Sequence, residues 1–535
     1  MVADIRLPDI PVGERTPLVE FLLGVIARQQ EQIDELKKEV RNLKDEVARL
    51  KKQKTKPKLK SSQLESKEKS PGSSSRRPGS AKRNKTGSLK IHQTVNIHPD
   101  RPAGSTFKGY KDYTVVGLRF EAHNVRYRLG VWRRPDGGLL YGALPSSQQA
   151  LGGHFSPALV SYIQHQHHDC HVPQNRILAQ LQDIGISISA GQINHILVEN
   201  NAPFDAEKES LLRAALEVSP YIHVDDTGAR HRGRNGYCTH VGNQWFAYFM
   251  SSHSKSRINF LKILRGGHRD YVFDETALSY MRTRGLADYL VKQLEGEPDR
   301  VFDDRAQMLE QLGRWNIVNQ HHVRIVTEGL LMGSIIAHGV SPNLVVMSDD
   351  AGQFNILKHT LCWIHAERHL AKMTGFSKEQ RVALDAKRSE VWDFYRDLKA
   401  YKEDPTQDKK QMLSQRFDEI FQEETCYSSL NIMLRRLHQN KAELLLVLEH
   451  PDIPLQNNLS ENDIREYVTR RKRNGPTRSD DGRMARDTFA SLKKTCRKLG
   501  ISFWEYLNDR NAGKGAIPQL AELIRQRAAY TAAYG

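Results

Sequence analysis

Three acidic residues, Asp225, Asp349 and Glu461, lie in surroundings that could bring their carboxylates together. Asp225 ends the short apolar run 221–224, and Asp349 follows a second apolar run over 343–347. An apolar run that ends in an acid is typical of a buried strand that delivers a carboxylate at its end. Glu461 follows two asparagines and a serine, residue types that cap helices. We therefore expect two acids on strands and the third on a helix.

A cluster of such acids requires cations. Two strands of one sheet can place Asp225 and Asp349 close together, and close carboxylates repel one another. Hard oxygen ligands select magnesium or manganese. Each strand acid is followed by a second acid, Asp226 or Asp350, but adjacent strand residues point to opposite faces, so only one of each pair can line the site. The sequence therefore predicts a Mg²⁺ or Mn²⁺ site.

Positive charges share the predicted helix of Glu461. At about 100° per residue, Arg465 lies about 40° from Glu461 around the helix, and Lys472 about 20° from it. One helical face would then offer a metal-binding carboxylate and two cations suited to a DNA phosphate. The alternative is a solvated surface helix that carries these charges by chance.

The segment 156–200 has the outline of a helix-turn-helix. Ser-Pro at 156–157 and Val-Pro at 172–173 start two helices, and the run 184–189 turns into a third. An ordinary three-helix connector is the alternative. The His-rich run 165–171 lacks a second ligand pair at zinc-finger spacing, so we predict no metal site there. In the third helix, the residues expected to face inward are Ile193, Ile196 and Leu197, and those expected to reach base edges in a major groove are Gln192, Asn194 and His195.

The segment before residue 94 predicts self-association and a flexible tether. Apolar residues from Leu22 to Leu50 recur at alternating spacings of three and four, which indicates a coiled coil. The following Ser-, Gly-, Pro- and Lys-rich stretch cannot form a packed core. Residues 51–90 contain fourteen Lys or Arg and two Glu, and so account for +12 of the formal net charge of +17. The charge favours an anionic partner, and it is concentrated in the tether.

Composition excludes two classes of protein. The five cysteines lie far apart without a CxxC pair, which favours a reducing cytosol over a disulfide-bonded secreted protein. No apolar run approaches the roughly 18 residues that span a bilayer, so we expect no membrane insertion. Short alternating runs at 113–120 and 125–131, followed by Pro-Asp-Gly-Gly at 135–138, predict a small β module without a readable role.

Several motifs together resemble the bacterial transposases of the insertion sequence 66 family. The resemblance runs from about residue 156 to 507, and each motif has the expected order and character. By this resemblance the core is ribonuclease-H-like, and the acidic triad of the family falls on Asp225, Asp349 and Glu461. The motifs are His223-Val-Asp225-Asp226-Thr227, Ser348-Asp349-Asp350, Cys362-Trp-Ile-His365-Ala-Glu-Arg368, Asn457-Asn458-Leu-Ser-Glu461 through Arg471-Lys472, and Ser491-Leu492 to Tyr506-Leu507.

The resemblance implies a two-metal mechanism. Two ions held by the triad would activate water or a 3′ hydroxyl and stabilise the leaving oxygen. The DNA strand would be cut at the element end, and the freed 3′ hydroxyl would then attack target DNA. Arg465, Arg471 and Lys472 would contact DNA. Cys362 and His365 form a CxxH motif, for which a structural role and a direct role at the DNA stay open.

The chain also departs from the family pattern. The family commonly has Glu where this chain has Asp226, and Asp where it has Gln456. The cysteine zinc-binding module common in the family is not recognisable, so no zinc site is carried over. The long stretch between Asp226 and Asp349 suggests an atypical insertion, whose acids Asp274 and Glu275 compete for the assignment.

These inferences predict a multidomain α/β protein with a mixed-sheet catalytic core. Its partners would be double-stranded DNA, further copies of the chain bound through the coiled coil, and accessory proteins of the same element, in the bacterial cytoplasm at the nucleoid. A domesticated DNA-binding regulator without catalysis and a ribonuclease-H-like nuclease remain alternatives. The predicted domains are a coiled coil (16–53), a basic disordered linker (54–93), a β module (94–150), a helix-turn-helix domain (151–215), a catalytic core (216–510) with a helical insertion at about 366–455, and a C-terminal tail (511–535).

Overall fold

The computed structural model describes Thr16, Val25, Gln29 and residues 91–100, 105–117, 120–145 and 154–534, with side chains described up to Thr531. The chain divides into two compact units, residues 1–114 and 115–535. Nearly all of the predicted coiled coil and of the predicted basic linker lies outside the described residues. Both remain predictions.

The predicted small β module is reduced to one hairpin. The described residues between 91 and 130 contain no helix or strand, although the sequence predicts strands at 113–120 and 125–131. Strands β1 (Val131–Arg133) and β2 (Leu139–Tyr141) pair antiparallel across the predicted turn. Their side chains are exposed, because no other layer of the described structure covers the two strands. A hairpin this short buries too little apolar surface to stabilise further pairing. The broader strand prediction is wrong for the described residues.

Three helices follow, and they pack around a small core of their own. Helix α1 (Pro157–His168) begins at Ser156, whose Oγ accepts a hydrogen bond from the amide of Leu159. Helix α2 (Gln174–Asp183) leads through a turn to α3 (Ala190–Asn194), which continues as a π-helical turn over His195–Glu199. The buried residues of this core include Ile163, Ile177, Leu181, Ile193, Ile196 and Leu197, so the three predicted inward-facing residues of the third helix are confirmed.

A mixed five-stranded sheet forms the centre of the protein, in the order β5-β4-β3-β8-β9. Helix α4 (Ala202–Val218) leads into it. Strands β3, β4 and β5 pair antiparallel, and β8 and β9 join β3 in parallel. This sheet with its many helices fits the predicted ribonuclease-H-like core. The strands are β3 (Tyr221–Gly228), β4 (Tyr237–Gly242), β5 (Ala247–Ser252), β8 (Val345–Ser348) and β9 (Lys358–Leu361).

A helical segment with a second small sheet lies between β5 and β8 in the chain. Its strands β6 (Tyr271–Phe273) and β7 (Arg300–Phe302) pair antiparallel. The last helix of the segment, α9 (Gln320–Ala337), packs closely on β6. A Cβ at Gly333 would lie 2.4 Å from the carbonyl oxygen of Val272, so this packing requires glycine. The elements are α5 (Arg257–Leu264), β6 (Tyr271–Phe273), α6 (Glu275–Thr283), α7 (Asp288–Glu295), β7 (Arg300–Phe302), α8 (Arg305–Arg314) and α9 (Gln320–Ala337).

A second helical segment separates β9 from the helix of Glu461. Its aromatic residues build a separate core around Trp363, whose indole N–H donates to the carbonyl oxygen of Leu444 at 2.9 Å. Phe394, Phe417 and Phe421 surround this ring. The helices are α10 (Trp363–Ala371), α11 (Lys378–Glu403), α12 (Gln407–Gln422), α13 (Ser428–Gln439) and α14 (Lys441–Leu444).

The C-terminal helices complete the core. They are α15 (Asn458–Asn474), α16 (Asp480–Lys498), α17 (Phe503–Ala512) and α18 (Leu520–Tyr534). The prediction of a tail over 511–535 is wrong, because most of it is the packed helix α18. Its buried residues Leu520, Ile524 and Ala528 recur every four positions and so form one apolar stripe.

Helix α16 covers the backbone edge of strand β5. The amides of Ala247, Phe249 and Ser251 donate to Thr495 Oγ1, Ser491 Oγ and Asp487 Oδ2 at 3.1, 2.9 and 2.7 Å. These three acceptors are spaced four residues apart, so they form one stripe of the helix that matches every second residue of the strand. The outer backbone edge of β5 is therefore covered by side-chain hydrogen bonds and is not open.

The described part of the chain contains neither a disulfide nor a helix that is both long and apolar enough to cross a bilayer. All five cysteines are free. Cys238, Cys362 and Cys496 are buried and contribute to packing, whereas Cys170 and Cys426 are exposed.

Helix α15 is tied to α16 by an ion-pair network. Glu466 contacts Lys493, and it lies 2.9 Å from Lys494 Nζ and 3.0 Å from Arg497 Nη1. These cations lower the pKa of Glu466 from its usual 4.5 to about 2 even though burial acts in the opposite direction. Burial lowers the pKa of Lys493, and Glu466 opposes that shift.

We predict that Glu466→Gln lowers the free energy of unfolding at pH 7 by about 1–3 kcal/mol. A carboxyl with a depressed pKa stabilises the folded state above its usual pKa, and this contribution disappears as the pH falls toward about 2. Chemical denaturation at several pH values measures the difference. A loss of stability that is the same at pH 3 and pH 7 would contradict the electrostatic origin, and Glu505→Gln, on the exposed side of α17, is the control.

Candidate active site

Neighbouring parallel strands bring Asp225 and Asp349 side by side. The pairing of β3 with β8 matches His223 with Met347. Asp225 lies two residues beyond His223, and Asp349 lies two residues beyond Met347, directly after the last residue of β8, so an extension of this register places them side by side. Residues in register on neighbouring strands point to the same face, so both carboxyl groups would leave the sheet on one side.

The electrostatics of Asp225 show how close these acids lie. Burial raises the pKa of Asp225 to about 7, and the negative charges of Asp349 and Glu461 add to this effect. Its Oδ1 accepts a hydrogen bond from the amide of Asp226 at 2.7 Å. The Oδ1 atom of Asp349 is buried and has no hydrogen-bond partner in the described part of the chain. Buried carboxylate oxygens in this state are suited to a cation.

The second acid of each pair has other partners. Asp226 accepts hydrogen bonds from Thr239 Oγ1 at 2.5 Å and from Gln353 Nε2 at 2.8 Å. Asp350 has a φ of 72°, in the left-handed region that non-glycine residues seldom adopt, and its carboxylate pairs with Arg436 at 2.6 Å. The chain turns sharply here, which directs Asp350 away from Asp349.

Glu461 lies in the first turn of α15 and is held by positive charge. Arg368 contacts its two oxygens at 2.7 and 3.4 Å, and His365 Nε2 lies 3.5 Å from Oε1. Arg465 adds a third contact at 3.5 Å. The ligand atoms of the three acids do not all lie within 4.8 Å of one another. Among the described residues, the only three His, Cys, Asp or Glu side chains that meet this distance are His268, Asp270 and His338.

A buried amide fixes the start of α15. Asn457 occupies the cap position, yet its side chain does not cap the helix. Its Oδ1 lies 2.8 Å from His223 Nδ1, its Nδ2 donates to the carbonyl oxygen of Val224 at 2.9 Å, and its backbone N–H donates to Cys362 Sγ at 3.1 Å. Burial lowers the pKa of His223 to about 4, so its ring is neutral and donates to the amide oxygen. Asn457 thus joins α15, which carries Glu461, to β3, which carries Asp225, and to Cys362 at the start of α10.

A second junction ties α15 to β4. His240 is fully buried, with Nδ1 2.7 Å from Ser460 Oγ and Nε2 3.1 Å from Asp463 Oδ2. Asp463 also pairs with Lys498 at 2.7 Å. Ser460 was a candidate cap residue, but its hydroxyl contacts His240 instead. It directly precedes Glu461 in the chain.

The two residues of the CxxH motif have different surroundings: Cys362 bonds to the backbone of Asn457, and His365 lies beside Glu461. Cys362 is buried, and its pKa is raised to about 11 by burial, so it is a neutral thiol that accepts the Asn457 bond. His365 contacts Arg368 at 3.0 Å as well as Glu461. Arg368 is a site residue to which sequence reasoning assigned no role, although it stands within a quoted motif three residues after His365, one helical turn away.

The predicted DNA-contacting residues occupy different surroundings. Arg465 and Lys472 are exposed, and Arg471 is half-buried with its Nη1 3.5 Å from Thr227 Oγ1. In the third helix of the small unit, Gln192 closes a capping box with Ser189. The other two predicted base-contacting residues pair with Glu199: Asn194 Nδ2 lies 2.8 Å from Oε1, and His195 Nδ1 lies 3.1 Å from Oε2.

The two acids that compete for the assignment have structural partners. Asp274 caps α6 by accepting from the amide of Ala277 at 2.8 Å. Glu275 pairs with Arg282 at 2.6 Å on the surface.

Comparison with known proteins places these features in a family. The profile described as "Transposase IS66 family" matches residues 152–266 and 334–485, which include Asp225, Asp349 and Glu461. "Uncharacterized protein y4jO" of Sinorhizobium fredii (strain NBRC 101917 / NGR234) is 45% identical over 321 residues, which cover 59% of this chain and 100% of that protein. The chain belongs to the IS66 transposase family. The predicted resemblance is confirmed, and residues 267–333 lie between the two matched parts of this family member.

We predict that Asn457→Ala lowers the free energy of unfolding by about 2–4 kcal/mol, since it leaves the buried His223 ring N–H without its partner and removes the side-chain hydrogen bond to the Val224 carbonyl. Asn458→Ala is the matched control, because that side chain bonds only locally, to Gln456 at 2.9 Å. Urea denaturation compares the two variants. Equal stabilities would show that the amide does not hold the segments together.

Proposed function

We propose that this chain is an active transposase of an insertion sequence, which binds the element ends, cleaves DNA strands and joins the freed 3′ hydroxyl to target DNA. One observation carries the proposal: the paired strands β3 and β8 lead to Asp225 and Asp349 at the same end of the sheet, and Glu461 lies on the helix whose start Asn457 fastens to β3. Membership of the IS66 transposase family supports the reaction class.

The acids fit divalent metal ions. The unpartnered Oδ1 of Asp349 and the raised pKa of Asp225 both indicate carboxylates that lack a compensating charge. Asp225, Asp349 and Glu461 would hold two Mg²⁺ or Mn²⁺ ions. Bound ions of this kind supply an activated oxygen nucleophile and stabilise the leaving oxygen.

The protein's own residues would place the DNA. Arg465 and Lys472 are exposed on the helix that carries Glu461, and they would contact the phosphates on either side of the reacting one. Glu461 would have to give up its contact with Arg368 to hold a metal ion. Arg368 would then be free to pair with a phosphate oxygen, which its planar guanidinium suits.

End recognition is assigned to the three-helix unit. Asn194 and His195 would leave Glu199 to meet base edges, whereas Gln192 would have to break its capping box. The basic linker would add salt-sensitive affinity for any DNA, and the coiled coil would pair protomers so that two ends are held together. Accessory proteins of the same element would be further partners.

We predict that Asp225→Ala, Asp349→Ala and Glu461→Ala each reduce strand cleavage and joining by about three orders of magnitude or more while end binding persists. The assay uses DNA with candidate element ends and Mg²⁺ or Mn²⁺. Asp350→Ala is the control, since its carboxylate pairs with Arg436 outside the acid cluster.

The alternatives give different results in that assay. Wild-type protein that binds ends and never cuts, even with Mn²⁺, would favour a regulator without catalysis. Protein that cuts but never joins would be a ribonuclease-H-like nuclease.

We also predict that Asn194→Ala combined with His195→Ala weakens binding to element ends about tenfold or more, since each base contact contributes roughly 1–3 kcal/mol. Binding to unrelated DNA should change little. Gln182→Ala, exposed on α2, is the control. An equal loss on unrelated DNA would assign these residues to backbone contact.

A further inference from the structure

Two histidines and an aspartate converge outside the candidate active site. One ligand atom from each of His268, Asp270 and His338 lies within 4.8 Å of the other two. The imidazole rings stack with centroids 3.5 Å apart and planes 7° apart. His338 Nε2 lies 2.9 and 3.0 Å from the two carboxylate oxygens of Asp270.

The surrounding residues hold this group in place. Ser334 Oγ donates to Asp270 Oδ2 at 3.1 Å, which orients the carboxylate. Arg265, itself buried, donates from Nη1 to the carbonyl oxygens of Arg269 and Asp270 at 2.9 and 2.7 Å. The loop before β6 is thus fixed by hydrogen bonds, and a hydrogen-bonded carboxylate is typical of the supporting residues around metal ligands.

The group stands at the base of the segment that separates the two family-matched parts. His268 and Asp270 lie where residues 267–333 begin, and His338 lies just after they end, at the end of α9. Asp270 and His338 are 68 residues apart along the chain. A ligand that joined them would close the loop formed by the whole segment.

We propose that His268, Asp270 and His338 bind a transition-metal ion, with zinc as the expected metal, which clips the base of this segment. Two imidazole nitrogens and one carboxylate oxygen are donors that suit zinc, and water would complete a four-coordinate site. The site differs in ligand chemistry from the all-carboxylate cluster proposed for magnesium or manganese.

The geometry requires only side-chain movement. Ligand atoms about 2.0–2.2 Å from a tetrahedral zinc ion lie about 3.4 Å from one another. The rings of His268 and His338 would tilt out of their parallel stack, and Asp270 would exchange its contact with His338 for the metal. Burial and the neighbouring His338 lower the pKa of His268, which favours the neutral ring that a metal needs.

The first test is zinc stoichiometry on the full chain after removal of metals with a chelator and addition of zinc. We expect the wild type and His322→Gln to retain one zinc ion more per chain than His338→Gln or Asp270→Asn. His322 lies in the first turn of the same helix, α9, and so controls for loss of a histidine there. Equal zinc content in all four proteins would overturn the site.

The second test is hydrogen exchange with and without zinc. Zinc should slow amide exchange at 265–273 and 334–340 about tenfold in the wild type and leave His338→Gln unchanged. Circular dichroism of both proteins without zinc verifies that the variant folds, and Asp270→Asn replaces it if it does not. Zinc binding without protection of these two segments would overturn the clip. Magnesium-dependent DNA cleavage plays no part in either readout, so the outcome is independent of the proposed transposase activity.

Discussion

The arrangement of the candidate site depends on one buried amide, that of Asn457. The segments that carry Asp225 and Glu461 lie far apart in sequence, and apolar packing alone would allow them to slide relative to one another. A buried amide is more restrictive, because its donor and acceptor must each find a partner. The side chain bonds to His223 and Val224 while the backbone bonds to Cys362, so only one relative placement of β3, α10 and α15 satisfies all of them.

The same helix has a second polar attachment on another side. Arg470, buried in α15, donates from Nη2 to His168 Nδ1 of α1 at 2.8 Å. Burial lowers the pKa of Arg470 to about 9, yet the guanidinium stays charged at neutral pH. The helix that carries Glu461 is therefore in direct contact with the small three-helix unit to which we assign end recognition.

The parts of the fold that sequence could predict are those set by local pattern. Apolar runs ending in acids located β3 and β8, and the residue order revealed the family. Asn457 occupies the cap position expected before Glu461, but its side chain makes a buried junction instead of a cap hydrogen bond, because the residue types that cap helices also make such junctions. Arg368 received no role, since its contact with Glu461 spans 93 residues. The alternation of residues before Val131 predicted more strand than forms, because no layer covers the described ones among them. The four-residue spacing of Leu520, Ile524 and Ala528 is typical of a helix, and it could have predicted α18.

The stripe of Asp487, Ser491 and Thr495 on α16 restricts how copies of this protein can assemble. The proposed joining of two DNA ends would bring protomers near each other, and an open strand edge is a ready place for two sheets to merge. Here the amides of β5 already have partners within their own chain. Protomers brought together on DNA would have to meet through helices and loops at this side, so each catalytic sheet would keep its own boundary while the assembly forms and comes apart.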